Sequence, residues 1–287
     1  MTRVYGLMIA KNEADIIGRN IEFHLKAGAD FIIVTDNDSD DDTARIVEQY
    51  VRAGRVELIR EPGRNHDQSP WVTEMARRAA LCGADWVINA DADEFWWPVG
   101  GTLPDVMAKI AGTVDIVEVP RHNFPPRRAE DGDGRHFTDR MIYRDRDSVN
   151  LQGAPLPSKV MHRAHLDLEI GDGNHTVTFR NRAAVAEKTQ SIEILHFPLR
   201  SYEQFSSKII LGTEALERNT RISTDVGSTW RHIYHQYYKT GRLPDFYREQ
   251  ELTAGAIEKR LADGTLIVDT RLRDFLAAAR PRTSAAL

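Results

Sequence analysis

The chain has a single cysteine, Cys82, among its 287 residues. It can form no intrachain disulfide and no cysteine-built zinc site. Cys82 falls in an apolar helical stretch and reads as a small core residue. A basic surplus is also missing: 38 Lys and Arg against 43 Asp and Glu leave a net charge of -5. That balance disfavours a sequence-independent nucleic-acid binder. No apolar run approaches the roughly 18 residues that a membrane helix needs. The opening Met1-Thr2-Arg3-Val4-Tyr5 lacks a signal-peptide core. No glycine triplet follows the first predicted strand, where Lys11-Asn12-Glu13 stands instead, and no Gly-x-x-x-x-Gly-Lys-Ser/Thr occurs. Those two absences exclude the dinucleotide fingerprint and the phosphate-binding P-loop. No internal repeat is visible.

What the chain does have is an ordinary globular composition, 41% hydrophobic and 28% charged, enough for a sizeable core. Up to residue 95 strands and helices alternate. Residues 3–10, 31–35, 56–59 and 85–90 read as strands; Asn12 is placed to cap the helix after the first. Two more helices are predicted over residues 43–51 and 72–81. This alternation predicts a parallel sheet covered on both faces. Ligands of such sheets bind beyond the carboxyl ends of the strands. Polar clusters stand at those four ends: residues 11–13, 36–42, 60–68, and Asp91 with Asp93. Residues 116–200 change character, with strand-like segments at 116–120, 141–143, 159–162, 176–179 and 192–195 between loops rich in Gly, Pro and Asp. From residue 202 the pattern turns helical, with helices predicted over 229–239, 244–252 and 271–279. The tail, residues 281–287, is small and polar enough for disorder.

Asp91-Ala92-Asp93 carries the most chemistry. If the strand continues through it, the carboxylates at i and i+2 point to the same side. They can then share one hard divalent cation, which prefers oxygen ligands and is most useful beside a diphosphate. The bland alternative is a solvated acidic loop. Trp96 and Trp97 follow directly; indole faces suit stacking on sugar rings, but a tryptophan pair is more often packing. Asp36, just past the second strand, can accept a hydrogen bond from a base or ribose, and Ser39 or Asp41 can cap the helix that follows.

Taken together, these motifs resemble family 2 glycosyltransferases of the GT-A fold, in the branch that shades into family 92. Ile9-Ala10-Lys11-Asn12-Glu13 resembles the first-strand motif. Residues 36–43 resemble Asp-Asp-Gly-Ser-x-Asp-x-Thr, with Asp38 where glycine is usual. Asp91-Ala92-Asp93-Glu94-Phe95 resembles the metal-binding Asp-x-Asp-Glu-Phe, and His196-Phe197-Pro198-Leu199-Arg200-Ser201 is a further shared segment. The resemblance covers roughly residues 3–210. It implies a Rossmann-like, doubly wound mixed α/β sheet with helices on both faces, followed by C-terminal helices. The expected divisions are a nucleotide-sugar-binding subdomain (1–115), an acceptor-binding and catalytic segment (116–200) and a helical region (201–287).

The resemblance also implies an inverting transfer from a nucleotide-sugar donor, UDP-sugar first, assisted by Mn2+ or Mg2+. Asp36 would hold the base with Glu13 nearby, and Ala10, Asn12 and Ala92 would line the donor pocket. Asp91 would contact ribose or metal, Asp93 would be the main metal ligand and His196 a third. Arg200 or Lys208 would sit on the β-phosphate. Asp172, His175 and Glu94 are the candidates for the base that takes the acceptor's proton, with a hairpin turn as the alternative role for Asp172. The acceptor is a glycan, lipid or small molecule. The expected location is the cytoplasm, or the membrane periphery for a lipid acceptor. Two other classes compete. A haloacid dehalogenase-like phosphohydrolase also uses Asp-x-Asp, but normally after the first strand rather than the fourth. A non-catalytic nucleotide-sugar binder would keep the same donor groups.

Overall fold

The computed structural model describes residues 1–63, 67–128 and 135–278. Four strands alternate with three helices at the start: β1 (Val4–Ala10), α1 (Ile17–Ala27), β2 (Phe31–Asp36), α2 (Thr43–Arg52), β3 (Val56–Arg60), α3 (Gln68–Leu81) and β4 (Trp86–Asp91). The chain then turns at Ala92 and Asp93 into β5 (Glu94–Pro98), followed by α4 (Leu103–Met107). Short elements come next: β6 (Ile116–Val119), β7 (Arg121–Asn123), α5 (Phe137–Arg140), β8 (Tyr143–Asp145), β9 (Lys159–Arg163), β10 (Leu168–Ile170), β11 (Val177–Phe179), β12 (Ala186–Lys188) and β13 (Ile192–His196). The last part holds α6 (Tyr202–Arg218), α7 (Ser228–Ile233), a π-turn (Tyr234–Tyr238), α8 (Leu243–Gln250), α9 (Ala254–Ala262), β14 (Leu266–Val268) and α10 (Arg271–Ala277).

The main sheet has the order β12-β6-β9-β4-β1-β2-β3. Strands β4, β1, β2 and β3 run parallel, as their βαβ connections require. Side-chain alternation sends Val4, Met8, Trp86 and Ile88 into one apolar cluster and Tyr5, Leu7 and Val87 into another. Both faces are therefore covered, which is why these strands read as apolar runs. Strand β9 runs antiparallel to β4 and β6, making the sheet mixed. That reversal brings the beginning of β9, Lys159, beside the end of β4. A second sheet, β5-β13-β7, starts where β4 ends, so the Asp91–Asp93 turn joins two sheets. Residues of the third expected segment share the core of the first, with Leu272 and Leu276 in the same cluster as Val4 and Trp86.

Several expectations need correcting. Cys82 is exposed, because α3 ends at Leu81 and the cysteine lies past its last turn. Asn12 does not cap α1; it has φ 54°, and the helix begins only at Ile17 without a side-chain cap. Its side chain instead accepts from Asp40 N at 3.0 Å, while its own N–H donates to Ser39 Oγ at 3.0 Å. The tryptophan pair, by contrast, packs as expected: Trp96 is buried and Trp97 stacks on Phe23, centroids 5.9 Å apart. The strand expected at 141–143 begins at Tyr143. The tail, residues 281–287, and residues 64–66 and 129–134 of the two expected loops lie outside the described residues.

Two buried histidines set an acid limit on stability. His24 Nδ1 donates to Asn20 O at 3.0 Å and Nε2 accepts from Trp96 N at 3.3 Å. His162 Nδ1 donates to Arg163 O at 2.9 Å, and its Nε2 has no partner. Burial pushes each ring from 6.5 down to about 4. The unfolded chain binds these protons below about 6.5 and the folded protein does not. Stability is thus complete above that pH and drains as pH falls towards 4, by about 3 kcal/mol per histidine. Urea melts at pH 7 and pH 4.5 should show this loss, and His24→Gln should flatten the dependence. A midpoint that does not move between the two pH values contradicts it.

Candidate active site

The crevice lies at the carboxyl ends of β1, β2 and β4, where the register places Ala10 beside Asp36 and Ile9 beside Asp91. The loop after β1 is stapled to the loop after β2. Besides the Asn12 bonds, Glu13 N donates to Thr43 Oγ1 at 2.8 Å and Ala14 N to Asp41 Oδ2 at 3.1 Å, and Lys11 Nζ donates to Asp38 O. Of the two proposed caps of α2, Asp41 accepts from Thr43 N at 2.8 Å, whereas Ser39 serves Asn12. Asp36 is 3% exposed. Its Oδ2 accepts from Ser39 N at 3.4 Å, and its Oδ1 is buried without a partner. A buried carboxylate oxygen in that condition is costly unless a ligand supplies the donor.

Asp91 and Asp93 do not share one face of an extended strand. The backbone turns between them, and each carboxylate meets its own lysine. Asp91 Oδ2 accepts from Lys159 Nζ at 2.5 Å, and Oδ1 from Asn174 Nδ2 at 3.2 Å. Asp93 Oδ2 accepts from Lys208 Nζ at 2.6 Å, and Phe197 N donates to the Asp93 carbonyl at 2.9 Å. Burial pushes both carboxyls up, but the lysines outweigh it and hold them below the usual range. From beneath, Asn20 Nδ2 donates to Ala92 O at 2.9 Å and Glu94 O at 2.8 Å, which fixes the turn to α1. Ala92 thus spends its carbonyl on α1, and the Ala10 carbonyl accepts from Asn37 N at 2.9 Å.

His196 faces Asp93 from the end of β13. Asn123 Nδ2 donates to Val149 O at 2.8 Å, which turns its amide oxygen toward His196 Nδ1 at 2.7 Å. Nδ1 therefore carries the hydrogen and Nε2 a lone pair. Burial pushes this ring down to about 3, so it is neutral at physiological pH. Nε2 lies 3.8 Å from Asp93 Oδ1, two acceptors facing each other with no proton between them. Such an oxygen and nitrogen pair suits a divalent cation. Among the described residues no three His, Cys, Asp or Glu side chains come together as a group that could hold a metal ion, so Asp91 does not join Asp93 and His196 in the expected three-ligand set.

The remaining candidates separate clearly. Arg200 is buried and spends its donors inside the protein: Nε on Asp15 Oδ2 at 2.6 Å, Nη1 on Phe197 O at 3.1 Å and Nη2 on Glu13. It ties the β1 loop to the segment after β13 with four of its five N–H donors, Nη2 also reaching Asp15 Oδ1 at 3.0 Å, and its side chain is 1% exposed. Glu13 is committed to Arg200 in turn. Glu94 is fully buried; Oε2 accepts from Asp91 N at 3.2 Å, and Oε1 lies 3.5 Å from both Arg121 Nη1 and Lys159 Nζ. Burial pushes it up to about 7, and its side chain has no exposed surface. Asp172 and His175 lie on the turn joining β10 to β11, with Gly173 at φ 71° and Asn174 at φ 58°. The Asn174 bond to Asp91 docks this turn at the crevice. His175 Nδ1 donates to Ser158 O at 2.8 Å, leaving Nε2 as an acceptor; burial and then Lys159 push the ring down to about 4.

Sequence reasoning missed Lys159, Arg121, Asn123 and Asn174. The available signal for Lys159 was a lysine opening an otherwise apolar run. Lys159→Met takes the shared cation from buried Glu94 and part-buried Asp91, leaving them Arg121 and the Asn174 amide, a change expected to cost about 3 kcal/mol. Chemical denaturation measures it; a loss below about 1 kcal/mol shows that the carboxylates do not depend on this lysine.

The family model described as glycosyl transferase family 2 matches residues 7–167. The chain belongs to that family. A protein called an uncharacterized glycosyltransferase from Rickettsia felis is 34% identical over 97 residues, 33% of this chain and 30% of that protein. One from Rickettsia conorii is 33% identical over 95 residues, 32% and 29% of the two. The chain thus matches less than a third of the length of these curated relatives. Among solved structures, S. aureus TarS 1-349 in complex with UDP has a TM-score of 0.43 at 14% identity, covering 83% of this chain and 73% of that one. GalNAc-T7 with UDP, GalNAc and Mn2+ has a TM-score of 0.45 at 13% identity, covering 82% and 54%.

Proposed function

We propose that this chain is an inverting glycosyltransferase that takes a sugar from a nucleotide diphosphate, a UDP-sugar first, with a divalent cation. Within the family its motifs favour the branch that shades into family 92. The observation that carries the reading is the Asp93–His196 pair, two facing acceptors beyond the parallel strands of a family 2 chain. Asp36 Oδ1, the orphaned acceptor at the neighbouring strand end, supplies the base contact. Asp91, steadied by Lys159 and Asn174, would contact the ribose or the cation. The donor half is residues 1–115, and the acceptor side is built from residues 116–200.

In the reaction, an acceptor hydroxyl oxygen attacks the anomeric carbon from the face opposite the diphosphate. The bond to the β-phosphate oxygen breaks, and the nucleoside diphosphate leaves with its electron pair. Asp172 or His175 Nε2 takes the hydroxyl proton. Lys208 stabilises the developing negative charge at the diphosphate. A Mn2+ or Mg2+ ion held by Asp93 and His196, with Asp91 beside it, would supply Lewis-acid stabilisation of the same leaving group. The acceptor class is a glycan, a lipid or a small molecule. No helix among the described residues is long and apolar enough to cross a membrane.

A thermal-shift panel of UDP-, GDP- and dTDP-sugars, with and without Mn2+, tests the donor. A ligand of the folded state raises apparent stability by mass action. The UDP-sugars should give the largest shift, dependent on Mn2+ and lost in Asp36→Ala. A larger shift with GDP-sugars, or an unchanged one in Asp36→Ala, removes Asp36 from the base site. Phosphatase activity without sugar transfer would favour the phosphohydrolase reading.

A further inference from the structure

Lys208 stands in an unusual position for a phosphate-binding lysine. Its ammonium lies 2.6 Å from Asp93 Oδ2, while Asp93 Oδ1 faces the His196 lone pair at 3.8 Å. Asp93 is almost completely buried, and Phe197 N holds its backbone in place. A divalent ion bound between Asp93 and His196 would meet this ammonium on the same carboxylate, with little water to screen the two charges. The lysine therefore blocks what the aspartate and histidine attract.

An aromatic ring flanks the ammonium in this same position. Lys208 projects from α6, and its Nζ also lies over the Trp230 ring, 5.6 Å from the centroid. Trp230 belongs to α7 and lies flat against α6 at Gly212, one turn beyond Lys208. A side chain at Gly212 would meet the ring at 2.7 Å, so the glycine is what lets the indole reach this place. An indole face accepts a cation, and the four-carbon stem of lysine leaves the ammonium free to move between partners.

We propose that Lys208 is an internal occupant of the cation site: in the donor-free protein its ammonium neutralises Asp93, and it gives up that carboxylate when a divalent cation and a diphosphate arrive together. This rests on the assignment of Asp93 and His196 to the cation. The cation alone must displace the lysine and binds weakly. A diphosphate offers the ammonium new oxygen partners, so nucleotide and cation each strengthen the binding of the other. This coupling is reciprocal.

Mn2+ titrations followed by electron paramagnetic resonance read the site without any turnover. Wild type, Lys208→Met, Lys208→Gln and Asp93→Asn are compared, each with and without UDP. Both lysine variants are expected to bind Mn2+ about tenfold more tightly than wild type without nucleotide, equivalent to about 1.4 kcal/mol. Their UDP-induced gain in Mn2+ affinity should shrink by a similar factor. Lysine variants that bind Mn2+ no tighter than wild type, while Asp93→Asn abolishes binding, overturn the occupant role and leave the cation site standing. Unaltered Mn2+ binding in Asp93→Asn, with and without UDP, overturns the site assignment itself. The side chain of Lys208 is 25% exposed, and two replacements of different polarity separate loss of charge from misfolding.

Discussion

Asp93→Asn is expected to lower sugar transfer by at least about a hundredfold and to weaken Mn2+-dependent UDP binding by a similar factor, on the scale of losing one strong electrostatic contact to the leaving group. The reason is geometric. Asp93 is the one carboxylate that faces the His196 lone pair, and its backbone is clamped through Phe197 N and the neighbouring Asn20 bonds to Ala92 and Glu94. Asparagine fits the same space without the charge. Asp91→Asn should cost less, because the His196 Nε2 lone pair faces Asp93 and not Asp91. His196→Ala should follow Asp93→Asn in reducing both binding and turnover. Equal effects of Asp91→Asn and Asp93→Asn would show that the two carboxylates act as one unit.

Losing the base should have the opposite signature. Asp172→Asn or His175→Ala is expected to reduce turnover by about a hundredfold or more, the usual scale for general-base loss. UDP affinity should barely change, because a base contributes in the transition state and not to donor binding. The turn that carries both residues is docked through Asn174 on Asp91, so donor-site geometry survives either substitution. The pH profile separates the pair. Burial and Lys159 place the His175 ring near 4, so an imidazole base would give an acid limb there, well below the ordinary 6.5. That limb disappears in His175→Ala if the ring is the base and persists if Asp172 is. If both variants stay within a few-fold of wild type, the turn is structural only.

The donor half was legible because its strands are buried on both faces and its polar residues stop at the strand ends. Val87 and Ile88 leading into Asp91 are the simplest example. Asp36 stands out by its position past β2 together with the family resemblance, and the structure adds an orphaned oxygen there. The second half was harder for a physical reason: its strands are three to five residues long and pair with distant partners. Nothing local shows that β9 runs antiparallel to β4, and that direction is what delivers Lys159 to Asp91 and Glu94. The same-side argument for Asp91 and Asp93 failed because the chain leaves one sheet for another between them. Arg200 looked like a phosphate ligand because its internal partners, Glu13 and Asp15, are nearly two hundred residues away in sequence. Trp96 and Trp97 read as packing, and the helices that cover them, α1 through Phe23 and α10 through Phe275, are remote in sequence.

Calorimetric titration of the wild-type protein with UDP, in Mn2+ and after exhaustive chelation, tests the central claim most directly. Binding is expected to be strong with the ion and to fall by about tenfold or more without it, since the ion and Lys208 together balance the diphosphate charge. UDP affinity that is the same in both conditions, or absent in both, would contradict the assignment of this crevice to a cation-assisted nucleotide-sugar site.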